Sequence, residues 1–336
     1  MRRCIARRNW ILGCALLWPT LALAAQRGRL YVDNSAGDDL TIIDLESLKA
    51  VGTIRLAEHI HGLAVQADGR RLFSTVESDN TLRVVDTATG KVLKTVKLSG
   101  RPNQCAVTPN GRYVAVPIRD RGGVDIVDVA EGKVVKTLPV KTPHNAFNAG
   151  SNRYLFVSSK GSNEINLIDL SKMDYAAHIP LDGVPRPYVV TPDAKTLYVA
   201  ESNLHGFVKV DIATHKILRR VAIPAENPKP RARRYEPIDT LTHGLALSPD
   251  GSELWVTSLL DNSLYIYDVK QNRVVGQVRV GEGPNWVAFS PDGKYVCVSN
   301  TDTDDVSIID VKGRREVARI KVGKAPKRIV ASDLPT

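Results

Sequence analysis

Seven polar residues stand at one fixed position of an internal repeat in this 336-residue sequence and could together form a binding site. They are His61, Asn103, His144, Arg186, His243, Asn285 and Lys327. The set holds three of the chain's seven histidines and no carboxylate. Neutral imidazoles are common metal ligands, and cations beside imidazoles attract anions. The set predicts an anion-binding site, with its three histidines as candidate ligands of a divalent metal. The simpler alternative is a wet channel whose polar residues bind only water.

The repeat is marked by an aspartate that ends an apolar, β-rich run. It recurs at Asp44, Asp86, Asp128, Asp169, Asp211, Asp268 and Asp310, with spacings of 42, 42, 41, 42, 57 and 42 residues. In one copy, four strands at 285–290, 295–299, 306–310 and 316–321 are separated by turns and a polar loop. Units of four antiparallel strands repeated every 40 to 45 residues or so are typical of β-propeller blades. The sequence therefore predicts an all-β, seven-bladed propeller.

The first unit lacks its first strand, and the chain ends with a lone one. The repeats begin at a second strand, Leu30 to Asp33, and finish with a first strand, Arg328 to Ser332. We expect the C-terminal strand to complete the N-terminal blade, which removes the open edges of a linear array of sheets. In propellers the loops before the innermost strands share one face with the loops between second and third strands. The seven polar residues should therefore surround one mouth of a central channel.

The first 24 residues have the composition of an export signal. Four arginines precede an apolar stretch at 11–18 and a small-x-small cleavage site at 22–24. We expect a mature chain of one propeller, 25–336, that is periplasmic or secreted. A Sec signal is favoured, although Arg7 and Arg8 also fit a twin-arginine signal. The apolar stretch is shorter than the roughly 20 residues of a membrane span, so none is expected. Loss of the four arginines lowers the formal charge from +10 to +6.

The 57-residue spacing contains an insertion at 224–240, before the inner strand of the sixth unit. It carries Lys229, Arg231, Arg233 and Arg234 next to Tyr235. Long loops in compact domains are often lids or binding loops. We therefore expect this segment to cover the channel mouth, with Arg231, Arg233 and Arg234 as further ligand-binding residues. A solvated loop stiffened by prolines is the alternative.

The units resemble the YVTN-family β-propeller repeat across the whole predicted mature chain. The namesake motif appears in altered form as Tyr31-Val32-Asp33-Asn34, Trp255-Val256-Thr257-Ser258 and Cys297-Val298-Ser299-Asn300. The resemblance implies the fold but leaves the function open. Such repeats occur in surface-layer-like proteins, quinone-associated propellers, lactonase-like enzymes and cytochrome d1-like haem domains. The insertion before the sixth inner strand is similar to that of the quinone-associated propellers.

Three functions are compatible with these features. The first is a non-enzymatic exported propeller, expected to be monomeric, that binds a small anionic ligand, a cofactor or a periplasmic partner protein at the mouth. The second is a lactonase-like hydrolase with a metal or His–carboxylate site in the channel, using Glu201 near Arg186. The third resembles cytochrome d1 domains and handles a metal or tetrapyrrole, with His61, His144 or His243 as axial ligand. Against the third, the chain has seven units where that family has eight, and it lacks a cytochrome module.

Several other chemistries lack their motifs in this sequence. No Cys-x-x-Cys-His occurs, so covalent c-type haem is not expected. Phosphate loops, dinucleotide fingerprints and nucleophile elbows are also missing. The carboxylates on the predicted face, which show no spacing typical of an acid–base pair, are Glu58, Glu77, Asp120, Glu201 and Glu282. Basic residues elsewhere are spread over the outer turns, so nucleic acid is not an expected partner. Cys105 and Cys297 fall on opposite sides of the ring and should be buried free thiols.

Overall fold

The computed structural model describes residues 28–225 and 240–334. Within these ranges the chain forms 28 strands and no helix, arranged as seven four-stranded antiparallel sheets. Six sheets use four strands that are consecutive in the sequence. The remaining sheet takes its innermost strand from the C-terminus. The prediction of a seven-bladed, all-β propeller is confirmed.

The strand bounds, from the inner to the outer strand of each blade, are as follows. Blade 1 contains β28 (Pro326–Asp333), β1 (Gly28–Asn34), β2 (Asp39–Asp44) and β3 (Lys49–Arg55). Blade 2 contains β4 (Ile60–Val65), β5 (Arg71–Val76), β6 (Thr81–Asp86) and β7 (Val92–Lys97). Blade 3 contains β8 (Ala106–Val107), β9 (Tyr113–Ile118), β10 (Gly123–Asp128) and β11 (Lys133–Pro139). Blade 4 contains β12 (Pro143–Phe147), β13 (Tyr154–Ser159), β14 (Glu164–Asp169) and β15 (Asp174–Pro180). Blade 5 contains β16 (Pro185–Val190), β17 (Thr196–Glu201), β18 (Gly206–Asp211) and β19 (Lys216–Ala222). Blade 6 contains β20 (Thr242–Leu247), β21 (Glu253–Ser258), β22 (Ser263–Asp268) and β23 (Arg273–Arg279). Blade 7 contains β24 (Pro284–Phe289), β25 (Tyr295–Asn300), β26 (Asp305–Asp310) and β27 (Arg315–Lys321).

The hydrophobic core lies between neighbouring blades rather than inside any one of them. Val84 of blade 2 belongs to the same buried cluster as Val116 and Val127 of blade 3. Leu30 of blade 1 likewise packs in one cluster with Val306 of blade 7. Because both faces of each sheet are covered, the middle strands are apolar along most of their length, as in other sheets buried on both sides. The stability of each blade therefore depends on its two neighbours.

The inner strands contact one another all around the ring. Each inner strand contacts the next one around the ring, in the order β28, β4, β8, β12, β16, β20 and β24, and β24 contacts β28 again. Hydroxyl groups add hydrogen bonds between blades at this level: Ser35 Oγ donates to Ile60 O at 3.0 Å and Thr75 Oγ1 to Asn103 O at 2.7 Å. The ring is closed, with the first strand of each blade nearest its axis.

The outer strands carry many of the exposed basic side chains. Six of these seven described strands hold two or three lysines or arginines, and β15 holds none. Charged side chains on an edge strand oppose pairing with the edge of another sheet. The basic charge of the outer strands thus has a structural explanation.

Blade 1 is completed by the C-terminal strand, as the sequence predicted. β28 pairs antiparallel with β1, with Leu30 opposite Ala331 and Val32 opposite Ile329. Ile329 is only 3% exposed and packs among the residues that join blades 7 and 1. The strand therefore supplies both ladder hydrogen bonds and core contacts to two blades.

The two predicted thiols are also confirmed. Cys105 and Cys297 are both buried and free. Burial raises the pKa of the Cys105 thiol to about 12 and raises that of Cys297 as well, so both stay protonated at neutral pH. The described part of the chain contains no helix that could span a membrane. The predicted leader at 1–24 lies outside the described residues.

Truncation after Lys324 tests the role of β28. The deletion exposes the edge of β1 and removes Ile329 from the core, where loss of one large aliphatic side chain alone costs about 2–5 kcal/mol. We expect a lower and broader thermal transition by circular dichroism. Truncation after Asp333, which keeps β28, is the control and should melt like the full chain. Equal melting curves for the two truncated proteins would contradict closure by β28.

Candidate functional site

Each inner strand contains one extra residue near its start, relative to the second strand. In blade 2, Ile60 pairs with Val76 but Gly62 pairs with Thr75, so His61 has no partner of its own. The same shift of one residue occurs in the other six blades. Such β-bulges change the direction in which a side chain points and are common beside functional sites. All seven residues of the predicted ring lie in these bulges, at equivalent positions.

In blades 4, 6 and 7 the bulge leaves one backbone N–H outside the strand ladder, and a hydroxyl of the second strand accepts its hydrogen bond. Asn145 N–H donates to Ser158 Oγ at 2.9 Å, and Gly244 N–H donates to Thr257 Oγ1 at 2.7 Å. In blade 7, Ser299 Oγ accepts the equivalent bond at 3.0 Å. Buried backbone donors are nearly always paired. The serine or threonine of the altered YVTN motif is thus the residue that satisfies the bulge.

Two blades that lack this hydroxyl solve the same problem differently. In blade 5 the second strand has Ala200, and the bulge residue is Pro187, which has no N–H to satisfy. In blade 3 the second strand has Pro117, and Gln104 N–H donates instead to the side chain of Asn103 at 2.8 Å. The Oδ1 atom of Asn103 therefore has a structural role in the bulge.

Blade 1 has a carboxylate, that of Asp33, at the position where blades 4, 6 and 7 have a hydroxyl. Asp33 is fully buried and accepts hydrogen bonds from Ser35 Oγ and from the backbone N–H of Arg328. Burial raises the pKa of Asp33 to about 7, even though Arg328 and Lys327 favour its charged form. Asp33 is therefore only partly ionised at neutral pH.

Arg328 is the main residue that the sequence analysis missed. It follows Lys327 in the same bulge and is 2% exposed. Its guanidinium lies over the Trp286 ring, 4.3 Å from the centroid, and Nη1 is 3.4 Å from Asn285 Oδ1. Its Nε has no hydrogen-bond partner in the described ranges. Burial lowers the pKa of Arg328 to about 10, which leaves it charged at pH 7.

The three predicted imidazoles are neutral at pH 7. Burial lowers the pKa of His61 to about 4, against the effect of its hydrogen bond to Glu77. Burial, followed by the charge of Arg328, also places the pKa values of His144 and His243 well below 6.5. Arg328 thus acts on all three imidazoles from its place in blade 1. Within 28–225 and 240–334, no group of three His, Cys, Asp or Glu side chains is arranged to hold a metal ion.

Two further cations border the imidazoles. Arg186 is 3% exposed, donates from Nε to Ser202 Oγ at 2.7 Å, and has a pKa that burial lowers to about 10. Burial, then the charges of Arg186 and Arg119, lower the pKa of Lys160 to about 8. Both groups remain mainly cationic at pH 7. The inner face of the mouth is therefore rich in positive charge that is shielded from water.

Among the carboxylates predicted to lie on the mouth face, Glu77 contacts a ring residue, His61. It accepts hydrogen bonds from His61 Nδ1 at 2.9 Å, from Arg119 Nη1 at 2.7 Å, and from Arg101 Nε and Nη2 at 2.8 and 2.5 Å. Its side chain is only 8% exposed. This cluster borders a cavity of about 380 Å³ that Lys327 also lines.

Other predicted residues have different roles. Glu201 is fully buried and accepts a hydrogen bond from Arg220 of the outer strand at 2.8 Å. Asn285 accepts from Arg328 through its side chain, and its carbonyl is 2.9 Å from His243 Nδ1. Arg231, Arg233 and Arg234, together with the expected lid, lie outside the described residues.

The closed ring of bulged, four-stranded blades defines the class of the protein, a seven-bladed β-propeller. The model of the YNCE-like β-propeller family matches residues 51–232, slightly more than half of the chain. The chain belongs to this family, and the predicted YVTN-type repeat is confirmed. No curated protein sequence matches the chain.

Solved structures show the same fold at low sequence identity. A hydrazine synthase from Kuenenia stuttgartiensis superposes with a TM-score of 0.71 at 19% identity, covering 84% of this chain and 92% of that one. A functionally unknown protein from Desulfotomaculum acetoxidans gives 0.76 at 14% identity, covering 92% and 99%. The dihydro-heme d1 dehydrogenase NirN, solved in complex with DHE, gives 0.64 at 16% identity, covering 90% and 74%. Identities this low carry the fold and not the function.

Replacing Thr257 by valine tests the hydroxyl that satisfies a bulge. The substitution keeps the shape and leaves Gly244 N–H without an acceptor, which costs about 1–3 kcal/mol for a buried donor. We expect the free energy of unfolding, measured with urea, to fall by that amount. Thr95→Val, on the exposed part of β7, is the matched control and should change it by less than about 0.5 kcal/mol. Equal losses in the two variants would show that the bulge does not need the hydroxyl.

The buried imidazoles predict a pH dependence of stability. Their pKa values are lower in the folded than in the unfolded chain, so the unfolded chain binds protons first as the pH falls below about 6.5. Above that pH these histidines do not reduce the free energy of unfolding. On acidification towards about pH 4 this free energy falls, by up to about 1.4 kcal/mol per pH unit per histidine.

A double variant isolates this effect. Asp33, whose pKa is raised to about 7, acts with the opposite sign, so the comparison must be made between variants rather than on one curve. The loss of stability between about pH 7 and pH 5 should be smaller in His144→Gln/His243→Gln than in the wild type. Parallel urea-denaturation curves for the two proteins would show that these imidazoles are not held neutral.

Proposed function

We propose that this protein is a non-enzymatic, exported propeller that binds a small anionic ligand at the channel mouth formed by the seven bulges. The observation that carries the proposal is Arg328, a buried guanidinium with an unpartnered Nε among imidazoles that are neutral. A buried charge without full pairing costs several kcal/mol. A bound carboxylate or phosphate would recover that cost through charge-assisted hydrogen bonds.

The surrounding charges support an anion rather than a cation as ligand. Arg186, Lys160 and Lys327 add positive charge near Arg328, whereas the nearby carboxylates are already committed. Glu77 is paired with two arginines and a histidine. Asp33 is partly protonated and holds the Arg328 backbone. Arginine forms planar, two-point contacts with carboxylates and phosphates, which suits it to bind such a ligand in a site shielded from water.

The Trp286 ring gives the site a built-in reporter. The predicted mature chain contains two tryptophans, Trp255 and Trp286. Trp255 is fully buried and donates to Glu253, away from the mouth. In a Trp255→Phe background, a ligand that moves or neutralises Arg328 should change the emission of Trp286. The signal then comes from the proposed site alone.

Arg328→Gln tests the proposal. We expect phosphate and citrate to bind the wild type in calorimetric titrations, and the variant to bind them at least tenfold more weakly. Because the buried charge is removed, the melting temperature should be unchanged or higher, whereas a purely structural arginine would lower it. Arg273→Gln, on exposed β23, is the control and should bind as the wild type does. A wild type that binds none of the anions tested, or an Arg328→Gln protein that binds them all normally, overturns the proposal.

Two other functions each have one supporting observation. The hydrogen bond between His61 and Glu77 is the kind of carboxylate–imidazole pair that a hydrolase would use, in place of the Glu201 site expected from sequence. The neutral imidazoles of His144 and His243 beside Arg328 suit a tetrapyrrole with carboxylate groups, and the NirN relative was solved with DHE. A Soret band in the purified protein would favour the tetrapyrrole, and turnover of lactone substrates the hydrolase.

A further inference from the structure

The corner of the mouth formed by blades 2 and 3 contains an imidazole with a fixed orientation. Glu77 receives four hydrogen bonds, from His61, Arg119 and twice from Arg101. An ionised carboxylate offers about four lone-pair positions. These donors therefore use the whole acceptor capacity of Glu77, which is left with none for a ligand.

The hydrogen bond also decides where the His61 proton lies. Burial alone would raise the pKa of Glu77, but the hydrogen bond from His61, the charge of Arg119 and the hydrogen bonds from Arg101 hold it well below its usual range. The ionised carboxylate can only accept, so His61 Nδ1 must carry the proton. In a neutral ring the other nitrogen, Nε2, then has a lone pair and accepts a hydrogen bond. A neighbouring group that meets Nε2 has to be a donor.

The cavity beside this ring has the size of a small-molecule site. Its volume is about 380 Å³, and its lining includes His61, Arg101, Arg119 and Lys327. With Glu77 ionised and His61 neutral, the three cations exceed the one carboxylate by two charges. The Arg101 and Arg119 side chains are 50% and 38% exposed, so their outer N–H groups border solvent. The cavity lining thus combines three cationic side chains with the imidazole of His61.

We propose that this cavity takes a small 2-hydroxycarboxylate, whose carboxylate pairs with the arginine side and whose hydroxyl donates to His61 Nε2. The cavity adjoins the anion site of the proposed function, on which this inference rests, and shares only His61 and Lys327 with the seven ring positions; the inference names the class of ligand for this corner of the mouth. A simple carboxylate satisfies the cations but presents no donor to Nε2. Sites built to hydrogen-bond a hydroxyl discriminate against the analogue without it, because their own polar group is left unpaired. His61 is therefore the residue that recognises the hydroxyl group of the ligand.

Lactate and propionate provide the matched probes, since they differ by one hydroxyl group. Calorimetric titrations at equal ionic strength should show lactate binding the wild type about three to ten times more tightly than propionate, the worth of one hydrogen bond. Glycolate and acetate form a second pair and should give the same ratio. Equal affinities within each pair overturn the inference, as does failure of all four to bind.

The role of His61 is tested by replacing the ring nitrogens with carbon. In His61→Phe the preference for lactate over propionate should disappear. His178→Phe, on the outer strand β15, is the control and should keep the preference. A His61→Phe protein that still prefers lactate overturns the assignment. If this variant does not fold, the two probe pairs on the wild type still decide the ligand class, and phosphate binding in the same assay shows separately whether the anion site exists.

Discussion

The backbone N–H of the extra residue in each inner strand is the constraint on which the rest of the structure depends. An extra residue turns a side chain out of the ladder but leaves a buried donor without a partner in the sheet. Blades 4, 6 and 7 supply a hydroxyl from the second strand, blade 5 removes the donor with Pro187, and blade 3 uses Asn103. The altered YVTN motif therefore stabilises the bulges that hold the polar ring. Blade 1 supplies a carboxylate at this place, and the same bulge holds the buried Arg328.

The repeat register predicted the fold and the equivalence of the seven ring positions, because strand length and turn position set the spacing of the aspartates. It could not reveal the bulges, since an irregularity repeated in every unit leaves that spacing unchanged. Arg328 was not predicted for the same reason. The seven ring residues occupy one position of the repeat, and Arg328 occupies the next position, which the bulge also brings towards the mouth. One sequence signal did distinguish blade 1: its motif contains Asp33 where blades 4, 6 and 7 have serine or threonine. The Glu77 cluster joins residues from two blades, and the sequence places them on the same face without giving their contacts.

The positive charge of the chain divides into two populations with different physics. Lysines and arginines on the outer strands are hydrated and keep sheet edges from pairing with other sheets. Arg186 and Arg328 are buried, and burial lowers the pKa of each towards 10. Net charge counts both populations equally, although an ion near the buried arginines experiences a much lower dielectric constant. In the anion site that we propose, the few buried cations and not the many exposed ones would dominate the electrostatic attraction.

The position of β28 in the chain has a consequence for how the protein reaches its native state. Ribosomal synthesis produces β1 first and β28 last, so the first blade must wait for nearly the whole polypeptide before its inner strand exists. Until then β1 presents an unpaired edge and blade 7 an uncovered apolar face, both of which favour aggregation. The high sequence separation between β1 and β28 also makes their pairing entropically expensive to begin. Ring closure is thus a late event, and the open form must be protected from aggregation until β28 has been synthesised.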